Sequence, residues 1–289
     1  RLNDKVRGAN KMLFSNETNA EDTSANNLTS FDSSGFTVGS DTSINGSSDT
    51  YVAWNWKANG SGVSNNVGSI PSTVSANTTS GFSIVSYTSP NLTADQTVGH
   101  GLGQVPEMII VKNRDNTYNW DIWHKDLTNN NYGLIFNTNA ELVNRWSSTA
   151  PTSTVFSTIN NFQHNGTDDY IAYCFHSVDG FSKFGSYTGN GSTDGTFVYT
   201  GFRPAFTLIK RTDAISNWTL YDNKRDVDNV VEHMLWADLS DAELSPYDRV
   251  DFVSNGFKFR DTGSGVNNSG GTFIYMAFAE MPTKFSLAR

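Results

Sequence analysis

Three stretches of the chain alternate large apolar side chains with smaller or polar ones at every second position. They are Thr50–Lys57, Asp169–His176 and Thr272–Ala279. Alternation with a period of two, rich in β-branched and aromatic residues, is typical of a strand with one buried face. The pattern therefore predicts one strand that occurs three times. Its large side chains at matching positions are Trp54, Tyr173 and Met276, and then Trp56, Phe175 and Phe278.

The segments between these strands also recur with one spacing. Gly81 and Gly180 begin similar runs 99 residues apart, and Trp120 and Trp218 lie 98 residues apart. A constant period across independent landmarks indicates internal duplication. A further segment precedes each predicted strand in recognisable form, as Met12–Glu21, Leu134–Glu141 and Met234–Glu243.

The repeats divide the chain into two complete copies and one partial copy. We predict a partial repeat 1 at residues 1–57, a linker or long loop at 58–80, repeat 2 at 81–179 and repeat 3 at 180–289. Each complete copy contains many short strands separated by Gly, Asn, Asp and Ser turns, which predicts an all-β fold of tandem β-sandwich or jelly-roll-like units. Repeat 1 lacks about 40 residues of front half relative to repeat 3. We therefore expect further repeats upstream, or strands supplied by another chain.

Recurrence also separates framework residues from catalytic ones. A framework residue should return at the same place in each copy, whereas catalytic groups should form a constellation. The recurring aromatic and apolar positions are therefore interpreted as structural. They are Trp54, Trp56, Trp120, Tyr173, Phe175, Trp218, Met276 and Phe278.

Charge and composition narrow the classes of partner. The formal net charge is -9 and no basic run offsets it, so a nucleic acid would be repelled. No apolar run approaches the roughly 20 residues that a membrane-spanning helix needs, and we expect no membrane insertion. Aromatic residues make up 13% of the chain, which supplies enough buried area for real cores.

The chain shows no motif for catalysis or for metal binding, and we predict neither catalytic residues, metal ligands nor a cofactor. Its one cysteine, Cys174, lies on a predicted strand at a small packing position, and its five histidines are scattered. Asn190–Gly195 could offer oxygens to calcium, although a simple turn is the favoured interpretation. A carboxylate pair for glycoside hydrolysis stays open, because such pairs are defined by distance in space. The candidates are Asp121, Asp126, Glu141, Asp168 and Asp169.

Aromatic residues at loop or non-repeating positions are the remaining functional hint. They are Tyr118, Trp123, Trp146 and Tyr247. Exposed Trp and Tyr rings stack on sugars, so these positions are candidates for glycan contact. The alternative is that they are core or interface aromatics of a Trp-rich sandwich.

The long run Tyr170–Gly191 resembles a repeat found in virion structural proteins of tailed bacteriophages, many of them marine and cyanobacterial phages. Shorter pieces are similar to the same repeat, namely Thr50–Lys57, Gly99–Pro106 and the ending at Phe278–Pro282 followed by Ala288 and Arg289. Such proteins are generally placed among tail-fibre or other virion components. The resemblance implies a role in a particle and carries over no active-site residues.

We therefore expect a phage virion structural protein, of tail-fibre or appendage type, that takes part in assembly and attachment to a host surface. A homotrimer, contacts with other virion proteins and a host-surface glycan are the expected partners. Two other functions stay open. One is a carbohydrate-binding module, and the other is a glycan depolymerase with an Asp/Glu pair.

Overall fold

The computed structural model describes residues 1–90, 96–158 and 167–280. The regular secondary structure is nearly all β, with 39% strand against 1% helix, and the strands form several antiparallel sheets, which confirms the predicted all-β fold class. Within the described ranges the only helix is α1 (Thr42–Asn45). The Asp41 carboxylate caps this single turn by accepting a hydrogen bond from the Ser43 amide at 3.0 Å.

Each sequence repeat contributes its own set of strands. Those before Gly81 are β1 (Lys11–Met12), β2 (Asp22–Thr23), β3 (Leu28–Phe31), β4 (Phe36–Val38), β5 (Val63–Asn65) and β6 (Ser72–Asn77). Repeat 2 contains β7 (Phe82–Thr88), β8 (Thr97–Gly99), β9 (Met108–Asn113), β10 (Asp121–His124), β11 (Tyr132–Ile135), β12 (Val143–Asn144), β13 (Val155–Ser157) and β14 (Asp169–Phe175). Repeat 3 contains β15 (Ser182–Thr188), β16 (Phe197–Tyr199), β17 (Pro204–Arg211), β18 (Thr219–Asp222), β19 (Leu235–Trp236), β20 (Val250–Val253), β21 (Gly256–Phe259) and β22 (Thr272–Ala279).

The main sheets of repeats 2 and 3 have the same strand order. Repeat 2 gives β7-β14-β9-β10-β11 within a larger sheet that continues to β12 at one edge and to β6 and β5 at the other. Repeat 3 gives β15-β22-β17-β18-β19. In both, the closing strand of the repeat (β14 or β22) lies between its first strand (β7 or β15) and the strand β9 or β17. Burial on both sides explains why these closing strands are apolar almost throughout.

A second, smaller sheet packs on the main sheet in repeat 3. Its order is β16-β21-β20. The core between the two sheets contains Val198, Phe252 and Phe257 from the small sheet with Ile209 and Tyr275 from the large one. Two antiparallel sheets that share one apolar core form a β-sandwich.

By contact density the chain forms two compact units. The first comprises Arg1–Val105, Ile110–Trp120 and Ala150–Cys174, and the second Pro106–Ile109, Asp121–Thr149 and Phe175–Arg289. These bounds follow packing rather than the sequence repeats. The repeat borders at 81 and 180 therefore stay predictions, and the end of repeat 3 lies outside the described residues.

The structure corrects the prediction for Thr50–Lys57. This stretch belongs to no sheet, although its alternating exposure persists, with Val52, Trp54 and Trp56 half-buried and the residues between them exposed. Its copies, β14 and β22, pair with strands from the front half of their own repeat. Within the described residues no strand pairs with Thr50–Lys57 in this way, so it lacks the ladder that makes its copies strands.

Residues 58–80 also differ from the expected linker or long loop. They contain β5 and β6, and β6 pairs with β7 from Ser72 opposite Tyr87 to Asn77 opposite Phe82. A stretch rich in Gly, Ser and Asn thus forms an antiparallel hairpin. It does so because the edge of β7 offers unpaired backbone groups as a template.

Candidate functional site: a recurring joint between repeats

The segment Met12–Glu21 is tied to the repeat that follows it by a tryptophan. The indole Nε1–H of Trp120 donates a hydrogen bond to the carbonyl oxygen of Phe14 at 2.8 Å. Trp120 is fully buried. Removing an indole from water is costly unless its N–H finds a partner, and this carbonyl supplies one.

The same contact occurs one repeat later. The indole Nε1–H of Trp218 donates to the carbonyl oxygen of Ile135 at 2.9 Å. Trp120 and Trp218 are equivalent in sequence, and each acceptor corresponds to Trp236, Phe14 by alignment of Met12–Glu21 with Met234–Glu243 and Ile135 by sheet register. Ile135 lies opposite Asp121 in β10, just as Trp236 lies opposite Thr219 in β18.

A backbone hydrogen bond accompanies each indole contact at fixed spacing. The amide of Glu21, seven residues after Phe14, donates to the carbonyl of Arg114 at 2.7 Å. The amide of Leu142, seven residues after Ile135, donates to the carbonyl of Thr212 at 3.1 Å. Arg114 and Thr212 occupy matching positions, six residues before their tryptophans. We call this pair of hydrogen bonds the joint.

A buried lysine stands beside each joint. The Lys112 ammonium donates to the carbonyls of Asn113 at 2.8 Å and Thr18 at 3.1 Å. Lys210, at the matching position, donates to the carbonyl of Arg211 at 2.7 Å. Burial lowers the pKa of Lys210 from 10.5 to about 8, although the charges of Asp238 and Glu141 oppose the change.

A charged cluster supports the first joint. Glu21 accepts two hydrogen bonds from the Arg114 guanidinium, each at 3.0 Å, and one from Arg7 at 3.1 Å. Arg7 also contacts the Asp4 carboxylate. Burial works to raise the pKa of Glu21, but the two guanidinium groups outweigh it and the net shift is downward. Sequence reasoning missed this cluster, because none of its four members was singled out and Arg114 lies 93 residues from Glu21 along the chain.

The predicted framework residues lie largely in the interior. Tyr173 is buried, and its hydroxyl donates to the Asp4 carboxylate at 2.8 Å. Phe278 contacts Phe175 with ring centroids 6.3 Å apart, and Met276 is buried on the same strand. Trp54 and Trp56 are the exceptions, since they are only half-buried on a stretch outside any sheet.

The four candidate glycan aromatics divide between core and surface. Trp123 and Trp146 are only 4% and 6% exposed, so neither can stack on a sugar from solvent, and the core alternative describes them. Tyr118 is half-buried. Tyr247 is 48% exposed and meets Trp236 edge to face at 6.2 Å.

Sequence reasoning missed the most exposed aromatic pair on one strand. Phe197 and Tyr199 of β16 are 45% and 65% exposed, while Val198 between them is buried. Their alternation in Thr196–Thr200 is the signal that could have found them.

The candidate carboxylates are engaged individually. Asp121 contacts Arg145, Asp168 accepts the Asn113 and Asn116 amides at 2.8 and 2.9 Å, and Asp169 accepts the Thr88 hydroxyl at 2.6 Å. Asp126 and Glu141 are exposed.

The Asn190–Gly195 loop directs its oxygens at an amide rather than outward. The buried Asn267 Nδ2 donates to the Asn190 side chain at 3.1 Å and to the Ser192 carbonyl at 2.9 Å. The turn interpretation therefore describes this loop. Within the described ranges, no three His, Cys, Asp or Glu side chains form a group that could hold a metal ion. Cys174 is fully buried, and burial raises the pKa of its thiol, which leaves it unreactive.

Comparison with known protein families identifies a match over nearly the whole chain. The model of a family described as a domain of unknown function (DUF7483) matches residues 1–282. No curated protein sequence and no solved structure matches the chain. Among the described residues, no helix is long and apolar enough to cross a membrane.

Proposed function

The chain belongs to the DUF7483 family, and we propose that it is a structural component of a tailed-phage virion, of tail-fibre or appendage type. Its β repeats would serve as stacked supports that carry loops toward a host surface. The observation that carries this proposal is the joint, which recurs at the same place in two successive repeats. A contact that is reproduced with each copy is what a repeat array needs, since every unit must bury part of its surface against the next. The assignment to a phage particle rests on the resemblance of Tyr170–Gly191 to phage virion repeats.

The location can be tested by electron microscopy. Antibodies raised against the purified chain should decorate an appendage of phage particles from the source of this sequence. Mass spectrometry of the same gradient-purified particles should find the chain in fixed proportion to the major capsid protein. Absence from particles by both methods would overturn the proposal.

Carbohydrate binding is the second candidate, and the exposed pair Phe197 and Tyr199 favours it. Two rings on one face of a strand lie about 7 Å apart, within reach of one or two sugar rings. The Lys258–Asp194 ion pair at 2.6 Å lies beside them and could bond to sugar hydroxyls. A glycan array should show saturable binding that Tyr199→Ala abolishes and that Tyr51→Ala retains, since Tyr51 is also exposed, at 50%, but lies elsewhere. If no glycan on the array binds, carbohydrate binding is rejected and only the scaffold role remains.

A further inference from the structure

Repeat 3 carries a third copy of the acceptor side of the joint. Met234–Glu243 aligns with Met12–Glu21 residue for residue, so Trp236 takes the place of Phe14 and Glu243 the place of Glu21. The sheet register independently equates Trp236 with Ile135. The groups that form the joint are thus all present a third time on this side.

Both hydrogen-bonding groups of this third acceptor are unused within the described part of the chain. The Ala237 amide donates to the Trp218 carbonyl at 2.9 Å, and bonded pairs alternate along an antiparallel ladder. The Trp236 carbonyl therefore points away from β18, at the edge of its sheet. No described residue donates to this oxygen, and none accepts from the Glu243 amide.

The surface around these groups is partly open. Leu235, Trp236 and Leu239 are half-buried, whereas Leu134 and Ile135 at the second joint are buried. Glu243 is 39% exposed and pairs with Arg225 at 2.9 Å, whereas Glu21 is held by Arg114 of the following repeat. The third acceptor thus combines an apolar strip, a carboxylate, a free carbonyl and a free amide.

We propose that Met234–Glu243 is a docking surface for the front half of a further repeat of this type. The occupant is defined by the two joints already formed. It brings a tryptophan whose N–H bonds the Trp236 carbonyl and a backbone carbonyl six residues earlier that accepts from the Glu243 amide. As at the first joint, where Arg114 faces Glu21, it also brings a basic residue that faces the carboxylate. An intact second copy does not meet this description, because its Trp120 and Trp218 are engaged within its own chain.

The donor loop itself provides the probe. A synthetic peptide of Lys112–Trp120, acetylated and amidated at its ends, contains the lysine, the accepting carbonyl and the indole. It should be titrated into the full isotopically labelled chain while backbone amide resonances are followed. Saturable shifts are expected at Leu235–Glu243, with the largest at Glu243. The Trp120→Phe peptide lacks one donor and should bind about fivefold more weakly.

Two variants of the chain complete the test. Glu243→Gln should weaken binding of the peptide, and Glu280→Gln should not, because Glu280 is equally exposed and pairs with Arg203 elsewhere. The proposal is overturned by absent shifts at the solubility limit of the peptide, by equal affinity of the Phe peptide, or by shifts centred on another surface. The inference rests on repeat stacking alone. A chain absent from particles would leave it standing, and a failed titration would leave the particle role untouched.

Discussion

The indole nitrogen distinguishes tryptophans that otherwise look alike. Trp120, Trp218 and Trp123 are all buried, but only the first two donate to a carbonyl, and no described residue accepts from Trp123 Nε1. Burial alone is thus no measure of what a tryptophan does. The hydrogen bond makes Trp120 and Trp218 parts of a joint, whereas Trp123 contributes apolar area.

Replacing each tryptophan by phenylalanine should separate these roles. All three variants lose ring volume, but Trp120→Phe and Trp218→Phe also leave the carbonyl of Phe14 or Ile135 without its indole donor. We expect these two to lose about 1–2 kcal/mol more unfolding free energy than Trp123→Phe, measured by urea denaturation. Equal losses in the three variants would show that the joint hydrogen bonds add nothing to stability.

Asp238 is a second residue whose surroundings decide its behaviour. Its Oδ1 accepts the Trp218 amide at 2.9 Å, while no described residue bonds its buried Oδ2. Burial raises its pKa from 3.8 to about 6, although the Trp218 amide and Lys210 oppose this. Repeat 2 has Asn137 at the matching place, two residues after the carbonyl of the joint.

A raised carboxyl pKa means that the folded chain binds this proton more tightly than the unfolded chain does. Its contribution to stability should therefore be full near pH 4 and be lost as the pH rises to about 6. Denaturation of the wild type at each pH should show its unfolding free energy falling by about 2 kcal/mol over this range. Asp238→Asn should not show this fall. The exposed Asp241→Asn is the matched control and should keep the wild-type profile. An unchanged slope in Asp238→Asn would contradict the assignment.

At the scale of elements, strand formation depends on neighbours as much as on sequence. The same alternating pattern gives a central strand twice, as β14 and β22, and an extended stretch outside any sheet once, at Thr50–Lys57. The alternation and the face of large apolar side chains are common to the three copies. The difference is the presence of adjacent strands, because a ladder needs backbone partners on another segment.

Hydrogen exchange should report this difference directly. We expect the amides of Ala53 and Asn55 to exchange within seconds to minutes, while those of Ala172 and Cys174, at matching places in β14, stay protected until the sheet opens. Mass spectrometry of peptic fragments or amide NMR would measure it. Comparable protection in the two stretches would mean that residues 50–57 pair with a partner strand in solution.

At the scale of the whole molecule, open edges favour assembly. The five-stranded sheet of repeat 3 ends in β15 on one side, whereas its counterpart β7 is covered by β6. Exposed edges offer unpaired backbone groups to another chain. We expect a homotrimer, for which light scattering coupled to gel filtration should give a mass three times that of the 31.8 kDa chain. A monodisperse monomer at high concentration would count against self-assembly.

Much of the fold could be predicted from the sequence, but little of the candidate site. Trp120 and Trp218 stood out because recurrence at one period is a linear property. Their acceptors could not be found this way, since Phe14 and Ile135 share only a backbone carbonyl, which any residue provides. Trp123 and Trp146 could not be assigned to surface or core, because nothing along the chain reveals which face of a strand another segment will cover.

The sequence by itself determined that this protein is all-β and internally duplicated, because alternation and period can be read directly from the residues of each copy. Tertiary structure alone decided which copies become strands, which indoles form joints and which aromatics reach solvent. Those outcomes depend on what lies beside each segment in space. Any residue type can provide a backbone carbonyl or an open strand edge, so neither can be recognised from the sequence.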